Sequence, residues 1–212
     1  NGLLPPVRQW VLDEAHGAEA EARRAFSLEI AAEDVTRLAQ KVASGESRNV
    51  YARAERKLES SLKNEGVTLF EGLVGKAKSA GDAFAEAAHE FVPHIKDLLY
   101  FDANKRSRNY DRTELWLNDD IRASETFDTL RMSAKTMQSC AEKAITCSQE
   151  LVGYLEGIEG AAEPQREIAS AAMDLKELVG SVEVIFGSKS DSYAYAAELC
   201  RKKDRQTDKL EA

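Results

Sequence analysis

Apolar and polar residues are arranged along this chain with the three-and-four spacing of amphipathic helices. From residue 11 to residue 42 an apolar side chain recurs at steps of three or four, with one slip at Leu28. This spacing puts the apolar positions on one stripe of a helix, the seam of a coiled-coil-like packing. The pattern predicts a first helix, on the order of 55 Å long, that begins after Pro5 and Pro6 and ends at the stretch 44–47.

A second helical region is predicted from near Ser47 to Leu98. Its helix propensity is weakened by several glycines, and Pro93 removes a backbone hydrogen bond, so we expect a kink or a break within it. The polar segment from Asp102 to Arg112 is predicted to be a loop.

The third predicted helix, about Thr113 to Gly157, has the cleanest apolar seam. The seam consists of Phe127, Leu130, Ala134, Met137, Ala141, Ala144, Cys147, Leu151, Leu155 and Ile158. A fourth helix is predicted from about Pro164 to a stop at Gly187, a residue type that suits the position after a helix end. A last helix is predicted from about Ser190, before a charged tail at about 201–212.

The chain shows no alternating strand pattern and no hairpin turn signal. The predicted fold class is therefore all-α. We expect an elongated antiparallel bundle of about three long helices, plus one or two shorter C-terminal helices, in a single domain over residues 1–212.

Composition and charge narrow the range of partners. The chain has 212 residues, and its 43% apolar content is enough for one continuous core. Its 37 acidic and 29 basic residues give a formal net charge of −8, which repels nucleic-acid phosphates and anionic lipid head groups. No stretch approaches the roughly 20 apolar residues that a membrane-spanning helix needs. We therefore expect a protein partner, no nucleic acid, and membrane contact only through an anchor outside this sequence.

Short motifs with catalytic or metal-binding counterparts do not assemble into a site. VLDEAH at 11–16 matches the acidic box of helicases, but it lies in a helical seam without a phosphate loop. The step from Glu86 to His89 matches di-iron bundle proteins, which need a second such step and two further core glutamates. With three histidines in the chain, the sequence predicts no catalytic residue, no metal site, no cofactor and a non-enzymatic protein.

The three cysteines are Cys140, Cys147 and Cys200. If the third, fourth and fifth helices reverse near Gly160 and Gly187, Cys200 lies level with the stretch between Cys140 and Cys147, because all helices share one rise per residue. A disulfide from Cys200 to Cys140 or to Cys147 then fits the geometry and leaves one free thiol. Three buried thiols acting as small apolar side chains are the alternative.

Aromatic and arginine side chains surround the predicted loop at one end of the bundle. These residue types are favoured at protein interfaces, and loops often carry binding sites. The candidate interaction surface consists of Tyr100, Phe101, Arg106, Arg108, Tyr110, Arg112 and Trp116. Under the alternative interpretation the segment is a connector.

Long helices rich in alanine and glutamate, few cysteines late in the chain and a charged C-terminal run resemble the surface proteins of African trypanosomes. The resemblance covers the whole chain, is carried by segments such as DEAHGAEAEARRA and GDAFAEAAHEF, and is nearest to the glutamic acid/alanine-rich coat protein. It implies a secreted, lipid-anchored helical glycoprotein at the cell surface.

Three functions follow as hypotheses. The first is a coat protein that forms a protective layer with neighbouring copies on a parasite membrane. The second is a surface receptor that binds a host macromolecule through its distal loop end. The third is an intracellular helical adaptor or effector domain, with a cytoplasmic location, which uses the same apolar seams for partner helices.

Overall fold

A computed structural model describes residues 17, 27–45, 49–58, 64–103, 112–200, 202–203 and 210–211. Within these residues helices dominate, which confirms the predicted all-α fold class. The helices are α1 (Ala32–Val42), α2 (Val50–Leu58), α3 (Asn64–Ala103), α4 (Asp119–Arg122), α5 (Glu125–Tyr154) and α6 (Ala162–Phe186).

The described residues form a bundle with four helical positions, and α1 and α2 together fill one of them. Helix α3 runs antiparallel to α5, since Phe70 near the start of α3 stacks on Tyr154 at the end of α5. Helices α5 and α6 form the next antiparallel pair. Helices α1 and α2 then follow α6 in the opposite direction, held by ion pairs such as Lys41 with Asp174 at 2.7 Å. At 1.5 Å per residue α3 is about 60 Å long, so the bundle is elongated, as predicted.

The core follows the apolar seam that the sequence predicts for α5. Nearly all of its positions are buried, whereas Cys147 is half-buried and Ser148 beside it is buried. Several core positions are occupied by alanine, which lets the helix axes approach closely. The fully buried alanines on the long helices include Ala77, Ala134, Ala141, Ala144 and Ala171.

A corner joins α1 to α2 and packs tightly on α3. Gly81 of α3 faces it, and a Cβ at position 81 would lie 2.3 Å from the carbonyl oxygen of Val42, so this approach requires glycine. Asn49 is fully buried. Its amide nitrogen donates to the carbonyls of Val42 and Ala43, both at 2.7 Å, and its oxygen accepts from the N–H of Ala52 at 2.6 Å. Asn49 therefore ends one helix and caps the next.

A buried hydrogen bond between two hydroxyl groups joins α2 to α5 close to Asn49 in the chain. The Tyr51 and Ser148 hydroxyl oxygens are 2.8 Å apart. Because the Ser148 hydroxyl donates to the Ala144 carbonyl at 2.7 Å, its proton is in use, and Tyr51 is the donor to Ser148. Among the described residues, every buried side-chain nitrogen or oxygen has a partner.

The prediction of one unbroken first helix is wrong. Residues 27–31 are not helical, and α1 begins at Ala32 after an extended Ala31. The slip of the apolar spacing at Leu28 falls in this non-helical segment. The predicted helix before Ser27 lies outside the described residues, except for Gly17.

The predicted second helical region divides into α2 and α3. Helix α3 continues through Pro93, so the irregularity does not lie at this proline. Phe91 and Leu98, on either side of Pro93, are buried in the core. Their burial offsets the lost hydrogen bond and keeps the segment helical.

Two predicted helical stretches are strands instead. The third helix begins at Glu125 rather than near Thr113, because β1 (Arg112–Trp116) precedes it. The last helix expected from Ser190 is wrong: β2 (Ala196–Cys200) pairs antiparallel with β1, with Trp116 opposite Ala196 and Arg112 opposite Cys200. Short strands β3 (Lys202–Lys203) and β4 (Leu210–Glu211) also pair. We call the β1–β2 pair the ribbon.

The helical turn back along α6, from which the disulfide was predicted, is therefore absent from the described part of the chain. Cys140 and Cys147 are free thiols. The backbone of Cys200 lies in the ribbon instead of in a helix beside α5. The predicted bridge of Cys200 to either residue is not formed in this structure.

The end of α6 agrees with the prediction. The helix ends at Phe186, and a Cβ at Gly187 would lie 2.2 Å from the carbonyl oxygen of Glu183. The hairpin between α5 and α6 turns at Gly157 and Gly160, with φ of 79° and 80°, values that favour glycine.

Candidate interaction surface at the ribbon end

The predicted interaction residues fall partly outside the described chain. Arg106, Arg108 and Tyr110 lie outside it. Tyr100 and Phe101 lie in the last turns of α3, and Arg112 begins β1, with only their backbones described. Trp116 ends β1, and its side chain is 60% exposed. Of the predicted residues, Trp116 is thus the one that the structure places at the surface.

The ribbon is buried on one side and exposed on the other. Leu115, Leu117 and Tyr195 are buried, whereas Trp116 and Ala196 are exposed. The N–H of Leu117 donates to the carbonyl of Tyr195 at 2.9 Å, which extends the strand pairing by one residue. This alternation with a period of two is the pattern of a half-buried strand, and it fixes Trp116 on the outer side.

Arg122 ties the ribbon to the end of the bundle. Its guanidinium group lies between two aromatic rings, 5.0 Å from the centroid of Phe127 and 4.8 Å from that of Tyr195. The same group donates to the carbonyls of Ile185 at 3.3 Å and Gly187 at 3.1 Å, at the C-terminal end of α6. A cation there interacts favourably with the helix dipole. Arg122 therefore joins the ribbon to the ends of α5 and α6.

Three large apolar side chains are exposed at this end. Trp116 is joined by Leu28, 46% exposed, and Tyr193, 44% exposed, and these are three of the six large exposed apolar side chains in the described chain. Leu28 and Tyr193 line a pocket of about 120 Å³, together with Leu117 and Ala196, the cross-strand neighbour of Trp116. We call Leu28, Trp116 and Tyr193 the ribbon-end surface.

Sequence reasoning missed two of these three residues. Leu28 was assigned to a helix seam and Tyr193 to a terminal helix. The available signal was the alternation of Tyr193 and Tyr195 with alanines, a strand period that a search for helical spacing passes over. The rings of the two tyrosines lie 6.3 Å apart.

A second concave site lies between α1 and α6, and we call it the α1–α6 groove. It has a volume of about 720 Å³ and is open to solvent along one side. Its floor is apolar and its walls are charged. The lining includes Ile30, Val35, Leu38, Lys41, Glu177 and Leu178.

The ionisable groups offer little chemistry. Burial raises the pKa of the Cys147 thiol, and the nearby Glu150 carboxylate raises it further, against a smaller lowering by Lys76. A thiol with a raised pKa is a weak nucleophile at neutral pH. Within the described residues no group of three or more His, Cys, Asp or Glu side chains is placed to hold a metal ion. In that same part of the chain, no helix combines the length and the apolar character needed to cross a bilayer.

The chain matches no protein-family model, and no curated protein or solved structure shows significant similarity to it.

Proposed function

We propose that this protein is a non-enzymatic cell-surface protein that binds a protein partner through the ribbon-end surface. The observation that carries the proposal is the exposure of three large apolar side chains at one end of the bundle: Leu28 and Tyr193 line one small pocket, and Trp116 lies opposite a third lining residue, Ala196, across the ribbon. Exposed apolar side chains are usually scattered singly on a soluble surface, and a cluster is typical of an interaction site.

The chemistry of the surface favours a protein over other partners. Trp and Tyr are the residue types that contribute most to binding energy at protein interfaces, where they fill or flank small pockets. A pocket of about 120 Å³ accommodates one apolar side chain rather than a whole ligand. The formal charge of −8 disfavours nucleic acid. The cell-surface location rests on the resemblance to the trypanosome surface proteins.

Binding is tested by comparing exposed apolar residues at two places. Trp116→Ala and Tyr193→Ala are expected to abolish capture of a partner from host fluid or cell extract, as detected by mass spectrometry. The matched controls are Met132→Ala and Met173→Ala, which remove residues 58% and 64% exposed on α5 and α6. The proposal requires a captured protein that is retained by both controls and lost with both ribbon-end variants.

The location is tested on intact cells that produce the protein. Antibodies raised against the bundle are expected to label intact and permeabilised cells equally. Labelling that appears only after permeabilisation would contradict a surface location and favour the intracellular adaptor.

A coat protein is the second candidate, and the slender bundle favours it. Helix α3 alone is about 60 Å long, so many copies fit side by side and screen a membrane. For a coat, neighbouring copies on intact cells are expected to cross-link to one another at high yield, and Trp116→Ala is expected to leave this yield unchanged. For a receptor, cross-linking to itself is sparse.

A further inference from the structure

We propose that the α1–α6 groove is a second docking site, separate from the ribbon-end surface, which receives a cationic amphipathic helix of a protein partner. The groove lies between α1 and the facing part of α6, and residues 29–31 and Arg53 of α2 also line it.

The seam between α1 and α6 is apolar at its base and charged at its rim. Val35 and Leu38 of α1 and Leu175 of α6 belong to the same buried core as the residues between α3, α5 and α6. Nearer the surface, α1 and α2 are joined to α6 by exposed ion pairs: Lys41 with Asp174 at 2.7 Å, Arg53 with Glu167 at 3.3 Å, and Lys57 with Glu163. Exposed pairs contribute little stability, and in the described part of the chain the groove is open above the core.

The floor of the groove is apolar. Val35 and Leu38 of α1 are buried at its base, while Ile30 and Leu178 are half-buried along it. The wall on the α1 side consists of the non-helical residues Glu29 to Ala31 and of α1 as far as Lys41, and its helical part is between two and three turns, on the order of 14 Å. A long groove that is open on one side suits a helix that lays its apolar face inside, whereas small-molecule sites enclose their ligand.

The charges of the groove select a cationic occupant. Its three basic residues are already in ion pairs: Arg37 with Asp34, and Lys41 and Arg53 with acids of α6. Glu29 and Glu177 line the groove and form no ion pair within the described residues. Lysine or arginine beside the apolar face of an incoming helix would compensate both carboxylates.

The experiment uses the full chain and two labelled peptides of about three helical turns, with leucine on one face and either lysine or glutamate on the other. Fluorescence anisotropy at low ionic strength is expected to show binding of the lysine peptide, weakened by added salt, and none of the glutamate peptide. Equal binding of both peptides overturns the proposal, as does failure of the lysine peptide to bind.

Paired variants locate the site. Leu178→Asn removes part of the floor and is expected to weaken binding by about tenfold or more, whereas Leu69→Asn, at a leucine 57% exposed on α3, leaves it unchanged. Glu177→Gln is expected to weaken binding by about two- to fivefold, and Glu90→Gln on α3 is its control of equal charge. Equal losses in a variant and its control would mean non-specific attraction and overturn the proposal.

A photoreactive version of the lysine peptide shows where the peptide binds on the wild-type chain. This result does not depend on whether any variant folds. Cross-links to residues 29–41 or 174–181 support the groove. Cross-links elsewhere overturn it. Self-association of the full chain in sedimentation experiments, if abolished by Leu178→Asn, would assign the groove to a second copy instead and also overturn the proposal.

Discussion

The corner between α1 and α2 and the ribbon end both interrupt a helical bundle, but they are built in opposite ways. At the corner, Asn49 is buried with all its hydrogen bonds internal, and Gly81 lets two backbones touch. At the ribbon end, the half-buried Arg122 holds the ribbon on the bundle, and the large apolar side chains of Trp116 and Tyr193 are exposed to solvent. A break in the bundle whose polar groups hydrogen-bond to one another stabilises the fold. A break that leaves large apolar side chains exposed offers a surface to a partner.

The largest effect is expected at the corner with Asn49→Ala. The change leaves the buried carbonyl of Val42 and the partly buried carbonyl of Ala43 without their donor and removes the cap of α2, at a cost of about 3 kcal/mol in the free energy of unfolding. Urea denaturation measures it. Asn118→Ala removes an exposed cap of α4 and should cost about 1 kcal/mol or less. Equal losses in the free energy of unfolding for Asn49→Ala and Asn118→Ala would show that burial adds nothing to the contribution of the Asn49 cap.

Gly81→Ala is expected to cost about 2 kcal/mol, because its Cβ meets the Val42 carbonyl oxygen at 2.3 Å. Gly75→Ala in the same helix is the control. A Cβ there meets nothing within 4 Å, so helix propensity should stabilise the protein by up to about 1 kcal/mol. Thermal unfolding of both variants checks the opposite signs, and a stable Gly81→Ala protein would show that the corner is loosely packed.

At the ribbon end, Arg122→Ala is expected to cost about 1–2 kcal/mol, since it removes two ring contacts and two hydrogen bonds to carbonyls. The loss should be local. Hydrogen exchange at the amides of Leu117 and Ala197 should accelerate while α5 stays protected. Lys189→Gln, which breaks the exposed ion pair with Asp119, should change neither the free energy of unfolding nor the exchange rates of these two amides. Uniform acceleration would mean that Arg122 supports the whole bundle.

Tyr51→Phe is expected to cost about 1 kcal/mol at neutral pH through the lost hydrogen bond to Ser148. Burial raises the pKa of Tyr51, more than the bond to Ser148 lowers it. The folded state therefore keeps its proton when the unfolded chain ionises near pH 10, so this contribution is complete below about pH 10 and is lost as the pH rises through the folded pKa. The free energy of unfolding, measured from pH 8 to 11, should fall more steeply for the wild type than for Tyr51→Phe. Parallel curves for the two proteins would contradict a raised pKa of Tyr51 in the folded state.

The smallest effect on stability is expected at Trp116. Because its side chain is 60% exposed, Trp116→Ala should change the free energy of unfolding by less than about 0.5 kcal/mol. Urea denaturation checks this beside the binding test. A cost above about 1 kcal/mol would make the tryptophan part of the fold rather than of a binding surface.

Helical spacing alone predicts much of this fold, because apolar residues at steps of three and four lie on one face of a helix, and that face is buried. This spacing predicts the buried seam of α5 and the extent of α6. It could not predict the corner, where Asn49 and Gly81 act through contacts between residues distant in the chain. Helical spacing also mistook the ribbon for helix, since the strand sequences RTELW and AAELC consist largely of residues with high helix propensity, such as Arg, Glu, Leu and Ala. The pairing of the two strands overrides that propensity. Of the three residues of the ribbon-end surface, Trp116 could be predicted from its residue type. Leu28 and Tyr193 could not, because they are distant in the chain and come together only in the folded protein.

The fastening of α1 and α2 along α6 has a consequence for the order in which the molecule assembles. Lys41 and Asp174 are 133 residues apart in the chain, whereas α5 and α6 are joined by a short glycine turn. Contacts close in sequence form with little loss of chain entropy, so the α5–α6 hairpin should form early. Helices α1 and α2 can therefore pack on α3 first, whereas their ion pairs with α6 form only after the α5–α6 hairpin is in place.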